Sequence, residues 1–310
     1  MLPKRWNVEK FKEALESPEL FIKEMKRLPL HTKKVLTREP LRFGTKLFYR
    51  SDFGTGFDVM AEDWDNLVIL DACRYDSFAE QNTIDGDLSR ATSNASATPE
   101  FLKKTFAGKQ FHDTVCVCPN AKYIKLLEED TFYKLITDIS YDPEEVFEAG
   151  LDAHSAYPNK RLIVHFMTPH TPYIGPNAQE IWNRYRSQNP PIDSSLLKAA
   201  RFGYLTDAEL KVAYRENLDI VLALAEKFIE SADGKTVVTA DHGELLGDRI
   251  FGIKDYSHAV NYYVPELRHV PWLEIDSEDR KTITTEESIG ADNLEGDAIN
   301  ERLRALGYRA

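Results

Sequence analysis

Two continuous apolar runs in this chain end directly on groups that can bind a metal or move a proton. Asn66-Leu67-Val68-Ile69-Leu70 is followed by Asp71, and Thr236-Val237-Val238-Thr239-Ala240 by Asp241-His242-Gly243-Glu244. Two further runs end in the same manner. The run 161–166 leads to His170 within Met167-Thr168-Pro169-His170-Thr171-Pro172-Tyr173, and 114–118 leads to Asn120. Carboxylates and imidazoles are hard and borderline ligands that suit Zn²⁺ or Mn²⁺, and two adjacent ligands can share one ion with a third from a neighbouring strand. Asp71, Asp241 and His242 meet that description. Each also has a structural role open to it: Asp71 could cap a helix starting near Cys73, and Asp241 one starting near Gly243. His170 could be a loop histidine satisfied by backbone between stiff prolines. His165 lies inside its run and reads as core, while His31, His112 and His154 have no comparable context.

Unbroken apolar runs of this length read as strands buried on both faces, and here they alternate with stretches of helical period. The longest predicted helix covers about 206–231, where Leu210, Ala213, Tyr214, Leu218, Val221, Leu222, Ala225 and Phe228 form one stripe and Gly234 marks the stop. The expected fold class is therefore α/β, a mostly parallel central sheet with helices on both faces. In such sheets ligands bind beyond the carboxyl ends of the strands, where these polar residues stand. Pro40, Gly44, Gly54 and Gly56 predict a loop-rich approach to the first strand.

The chain has 310 residues, 42% of them hydrophobic, which suffices for a large core. Its net charge of −12 is unevenly spread, since residues 1–50 hold 13 Lys/Arg against 6 Asp/Glu. This divides the chain into a basic, partly helical arm (1–50) and an acidic body (51–310). An acidic body argues against nucleic acid as a partner, because Lys and Arg contacts to phosphates supply most of that affinity. In the arm Val8, Phe11, Leu15, Leu20, Phe21, Met25 and Leu28 recur at helical spacing beside Lys10, Lys12, Lys23, Lys26 and Arg27. That pattern fits packing on the body, with peripheral contact to an anionic membrane as the second reading. No run reaches the roughly 18 apolar residues of a membrane span, and the charged start lacks a signal-peptide core, so the expected location is cytoplasmic or membrane-associated. Cys73, Cys116 and Cys118 read as buried thiols rather than a disulfide framework.

The motifs resemble those of the alkaline phosphatase and sulfatase superfamily. Asp71-Ala72-Cys73-Arg74-Tyr75-Asp76 resembles its D-x-x-R-x-D start, 168–173 its PHxPY segment, and 240–244 its xDHGE segment, in the same chain order. His258 with Val264-Pro265-Glu266-Leu267-Arg268-His269-Val270-Pro271 resembles a later H…RVP stretch, and 303–308 a common C-terminal tail. The resemblance implies an alkaline phosphatase-like fold over about 66–310 and metal-dependent hydrolysis or transfer of a phosphate or sulfate ester. It implies Asp71, Asp241 and His242 as metal ligands, and His258 as part of a second metal site or a holder of the substrate's charged oxygens. His170 would protonate the leaving group or contact substrate, with Asn120 and Arg74 also on the substrate.

The family places a nucleophile at a helix start between its first two strands, where orphan N–H groups stabilise an oxyanion. Here that segment is Ala95-Ser96-Ala97-Thr98-Pro99-Glu100. With proline at the first helical position Thr98 becomes the N-cap and the expected nucleophile, with Ser96 in reserve. Sulfatases place the nucleophile two residues before the proline, which is Ala97 here, and nothing matches the C/S-x-P-x-R motif, so no formylglycine is expected. The pattern leans to phosphate mono- or diesters, with Zn²⁺ or Mn²⁺ ahead of Ca²⁺ or Mg²⁺ and a small-molecule, glycan-linked or lipid-linked ester as substrate. A sulfatase proper and an inactive metal-binding scaffold are the alternatives.

Overall fold

Leu67, Val68, Ile69 and Leu70 offer water no polar side chain on either face of the run, so it is stable only as an inner strand covered on both sides. The computed structural model describes residues 40–49, 53–188 and 195–291. In it this run is β1 (Asn66–Leu70), buried throughout. The remaining strands are β2 (Asp87–Thr92), β3 (Phe111–Val117), β4 (Phe132–Ile136), β5 (Arg161–Phe166), β6 (Thr236–Thr239), β7 (Leu245–Ile250), β8 (Ile253–Ser257), β9 (His269–Ile275) and β10 (Gly290–Ala291). Eight strands form one sheet in the order β10-β4-β3-β5-β1-β6-β9-β2, and β7 pairs with β8 in a separate antiparallel hairpin. β1 lies between β5 and β6 and runs parallel to both, with Ile69 opposite His165 and Thr239. β9 runs antiparallel to β6 and β2. The parallel register brings Asp71, the residues after Phe166 and Asp241 to one edge.

Among the described residues after 53 the helices are α1 (Tyr75–Gln81), α2 (Thr98–Thr105), α3 (Lys122–Leu126), α4 (Pro143–Ala156), α5 (Pro176–Ser187), α6 (Leu196–Arg201), α7 (Asp207–Ser231) and α8 (Pro265–Arg268). Alternate strand residues pack on opposite layers. Val68, Val164 and Val238 meet Phe78 of α1, Val146 of α4 and Leu218, Val221 and Phe228 of α7. Leu67, Ile163 and Val237 meet Phe101 and Leu102 of α2 and Tyr123 of α3. Helices thus cover both faces, as the apolar runs require. The predicted long helix is α7, opened by a capping box in which Thr206 and Glu209 satisfy each other's backbone N–H groups.

The approach expected to be loop-rich is helical over 40–49. Leu41 enters a small apolar cluster with Leu245, Ile250, Tyr262, Val264 and Leu267, and this tertiary contact outweighs the helix-weakening Gly44. The amphipathic stretch of the arm before residue 40 and the tail motif at 303–308 lie outside the described residues. Among the described residues no helix is long and apolar enough to cross a membrane.

Phe228 is completely buried against Gly150 of α4 and the face of the sheet. Truncating it to Ala should cost about 3–5 kcal/mol in urea unfolding. Val212→Ala, at an exposed position of the same helix, should cost no more than about 0.5 kcal/mol.

Candidate active site

Asp71 and Asp241 emerge from adjacent parallel strands, and both side chains are buried. Neither is a helix cap. α1 starts only at Tyr75, and the chain after Asp241 enters β7 instead of a helix. Asp241 Oδ1 accepts the N–H groups of Ala72 at 3.2 Å and of His242 at 2.9 Å. Asp241 Oδ2 and Asp71 Oδ1 are buried with no hydrogen-bond partner. His242 Nδ1 lies 2.7 Å from the Gly243 carbonyl, which can only accept, so the ring proton sits on Nδ1 and Nε2 is bare. That lone pair is 3.5 Å from both Asp71 Oδ1 and Asp241 Oδ2, and 3.3 Å from Thr98 Oγ1. Two carboxylates and a bare imidazole nitrogen facing one another without a cation form an electrostatically incomplete arrangement, and its donor set fits Zn²⁺ or Mn²⁺.

Burial, and then the neighbouring Asp241, push the Asp71 carboxyl well above the ordinary carboxylate range. Burial also works against the Asp241 carboxylate, yet His242 and His165 hold it below its ordinary value. Of the pair, Asp71 is therefore the one that holds a proton more readily when no cation is bound.

His165 was read from sequence as core. It is buried in β5, with its Nδ1 2.8 Å from the Tyr123 hydroxyl and its Nε2 without a partner. One ligand atom from each of His165, Asp71 and Asp241 lies within 4.8 Å of the others, so this histidine joins the cluster. Its alternation with Ile163 along the strand, on the face of Tyr123, was the available signal. Burial pushes its ring down to about 4.

A second group, His170, Glu244 and His258, likewise offers ligand atoms within 4.8 Å of one another. The His242 and His258 rings are 4.4 Å apart, so the two groups adjoin. His258 Nδ1 lies 3.2 Å from Glu244 Oε2. Burial raises Glu244 to about 7 against the pull of His170 and His242. The sequence reading included Glu244 only as part of a motif. His170 Nδ1 donates to the Thr171 carbonyl at 2.7 Å, and burial with the neighbouring His258 pushes the ring down to about 3. With Nδ1 committed to that carbonyl, Nε2 is the ring nitrogen left to meet a cation or a substrate.

Thr98 is the first residue of α2 and Ala97 is its N-cap, which corrects the expected capping role. Proline tolerates either of the first two helical positions because neither N–H has an intrahelical partner, and here Pro99 takes the second. The Thr98 hydroxyl consequently stands beside Asp71, Asp241 and His242, with its Oγ1 3.3 Å from His242 Nε2. Ser96 Oγ is committed elsewhere: Glu100 Oε2 at 2.9 Å and the Ala259 carbonyl at 2.8 Å compete for its single hydrogen, and it accepts the Tyr262 N–H.

The Arg74 guanidinium is engaged within the chain. It grips Asp76 through Nε and Nη2, and its Nη1 reaches Asp248 and the Glu244 carbonyl, so it braces the turn after Asp241. Asn120 is buried, accepts the Lys122 N–H at 3.1 Å, and leaves its amide nitrogen without a partner. Lys122, which the sequence reading missed, starts α3 and lies close enough to feel Asp71 and Asp241, while burial lowers its amine to about 8. Cys73, Cys116 and Cys118 are buried free thiols.

Helix α7 holds both ligand-bearing loops. Ala72 has a left-handed backbone (φ 62), unfavourable for a residue with a Cβ. The Tyr214 hydroxyl fixes it by donating to the Ala72 carbonyl and accepting the Arg74 N–H, each at 2.9 Å. One turn on, the Asn217 amide reaches the Pro172 carbonyl at 3.1 Å and accepts the Ile174 N–H at 2.8 Å, clasping the loop that carries His170.

No family model and no curated protein matches the chain. Similar solved structures include the C-terminal periplasmic domain of phosphoethanolamine transferase EptC from Campylobacter jejuni, with 17% identity and a TM-score of 0.43 over 69% of this chain and 78% of that one. The integral membrane lipooligosaccharide phosphoethanolamine transferase A (EptA) from Neisseria meningitidis is similar at 14% identity and a TM-score of 0.45 over 69% of this chain. The chain spans about half that protein's length, 47%. Phosphonate monoester hydrolase from Silicibacter pomeroyi is similar at 19% identity and a TM-score of 0.29, over 54% of this chain and 38% of that one. These neighbours are members of the alkaline phosphatase and sulfatase superfamily.

Two outcomes test this geometry. Tyr214→Phe keeps the ring and removes both hydroxyl bonds, so it should weaken Zn²⁺ or Mn²⁺ binding roughly 10-fold or more in a metal titration; unchanged affinity would show that Tyr214 does not position the Asp71 turn. Because its folded pKa is raised, Asp71 holds its proton to higher pH than an ordinary carboxyl does and must lose it to a cation. Calorimetric Zn²⁺ titrations in buffers of different ionisation enthalpy should therefore show proton release that grows as the pH is lowered from neutral. Heats that do not depend on the buffer would contradict the raised Asp71.

Proposed function

We propose that this chain is a metal-dependent phosphoryl-transfer enzyme, a hydrolase or transferase of phosphate esters, with Thr98 as its nucleophile. The observation that carries the reading is the Thr98 hydroxyl at the start of α2, 3.3 Å from the bare Nε2 of His242 and within reach of two buried carboxylates. Asp71, Asp241 and His242 would hold a Zn²⁺ or Mn²⁺, with His165 as a further donor. Such an ion supplies Lewis acidity, of the kind that takes a bound water from a pKa of about 16 to about 7.

The chain's own groups account for the rest. A carboxylate oxygen accepts the Thr98 hydrogen and leaves an oxygen lone pair for attack on phosphorus. The new bond joins Thr98 Oγ1 to phosphorus as the bond to the alcohol breaks. The positive end of the α2 dipole faces the developing charge, and the Lys122 ammonium adds a positive charge beside it. His170, Glu244 and His258 would hold a second cation or the charged oxygens of the substrate. Water or an acceptor alcohol then takes the phosphoryl group from Thr98.

Metal-loaded protein should be assayed on a panel of phosphate monoesters, phosphate diesters and sulfate esters. Thr98→Ala should lose roughly a thousandfold or more in turnover with metal content unchanged. Ser96→Ala should alter stability more than turnover. A fully active Thr98→Ala protein would eliminate the covalent route, and turnover of sulfate esters alone would favour the sulfatase reading.

A further inference from the structure

We propose that the surface formed by residues 40–49 and the tip of the β7–β8 hairpin docks on an anionic phospholipid bilayer. Ten large apolar side chains are exposed among the described residues; five of them, Phe43, Leu47, Phe48, Phe251 and Ile253, lie on these two segments, and a sixth, Val260, lies in the loop after β8. The first three are about 70% exposed, with values of 68%, 69% and 70%. The segments touch. The Phe48 and Phe251 rings meet edge to face at 5.6 Å, Tyr49 stacks on Phe251 at 6.3 Å, and Arg42 donates to the Val260 carbonyl. Scattered exposed apolar residues are ordinary, whereas a concentrated group marks a contact surface.

The hairpin turn supplies a second observation. Phe251 (φ 49) and Gly252 (φ 82) are both left-handed, the conformation of a type I′ turn, for which Asn-Gly or Asp-Gly is the unstrained choice. A phenylalanine there is conformationally costly, and although it packs on Phe48 and Tyr49, half of its surface, 51%, stays exposed. A side chain kept at a strained, exposed tip points to a contact outside the chain.

Charge selects the kind of partner. The whole chain carries −12, yet 40–49 has Arg42 and Lys46 and no acid, and 249–254 has Arg249 and Lys254 and no acid. Lys254 is paired with Asp207 on α7. Large apolar side chains ringed by Lys and Arg suit a headgroup region, where the rings enter the acyl boundary and the cations meet anionic lipids. Both hairpin strands end on the candidate site, since Glu244 precedes β7 and His258 follows β8. Docking at the tip would hold that site a strand's length from the bilayer, on the order of 17–20 Å.

The full chain should be floated with phosphatidylglycerol–phosphatidylcholine vesicles and with phosphatidylcholine vesicles alone, at low and high salt. Binding should favour the anionic vesicles and weaken with salt. Phe251→Asp and Phe48→Asp should each lower partitioning by about tenfold, while Val212→Asp on the exposed side of α7 should not. Aspartate tolerates the left-handed turn, so Phe251→Asp preserves the fold, which its thermal midpoint would verify. Three results would overturn the proposal: no preference for anionic vesicles, equal binding by the Phe48 and Phe251 variants, or a loss of self-association in those variants without a change in lipid binding. The last would make the patch a contact between copies of the chain.

Discussion

Two carboxylates from neighbouring strands are buried beside an imidazole whose inward nitrogen carries no proton. Asp71 Oδ1 and Asp241 Oδ2 have no hydrogen-bond partner, and His242 Nε2 stands 3.5 Å from each. Such a grouping is unfavourable in a low-dielectric interior unless a cation or a proton enters it. Parallel pairing of β1 with β6 forces the approach, because both strands must end at the same edge of the sheet. Close packing at the Asp241 turn keeps it there, since a Cβ on Gly243 would lie 2.1 Å from the Glu266 carbonyl oxygen.

Other features follow from that constraint. The left-handed Ala72 lets its N–H reach Asp241, and Tyr214 on α7 fixes the conformation. Arg74 spends its guanidinium on Asp76, Asp248 and the Glu244 carbonyl, which makes it a brace for the turn after β6. Such supporting contacts govern how firmly first ligands are held. Thr98 is delivered from the opposite layer by α2, so the proposed nucleophile and the carboxylates come from independent elements.

The strand ends were legible because a buried parallel strand leaves an unbroken apolar run, and a polar residue just beyond it has few places to point. Asp71, Asp241 and His242 could be found by that logic alone. His165 escaped because a polar residue within such a run looks like core until register places it beside Asp71 and Asp241. Lys122 escaped because nothing local separates a helix-start lysine from a solvated one. Spacing to the proline identified Thr98, but the cap position was off by one residue, a boundary error that periodicity cannot resolve. The helix at 40–49 was read as loop because Gly44 weakens it locally, while the contact that stabilises it comes from Leu245 and Leu267, about 200 residues along the chain.

The central claim, that this carboxylate pair is built for a cation, is tested most directly by the thermal stability of Asp71→Asn. With a folded pKa above its unfolded value, Asp71 contributes less stability as pH rises past the unfolded carboxylate pKa, so at neutral pH it burdens the metal-free fold. In chelator at neutral pH the variant should melt at a higher temperature than the native chain. Adding Zn²⁺ or Mn²⁺ should then raise the melting temperature of the native chain and leave that of the variant nearly unchanged. A variant that melts lower in chelator, or that gains as much from metal as the native chain, would contradict the account.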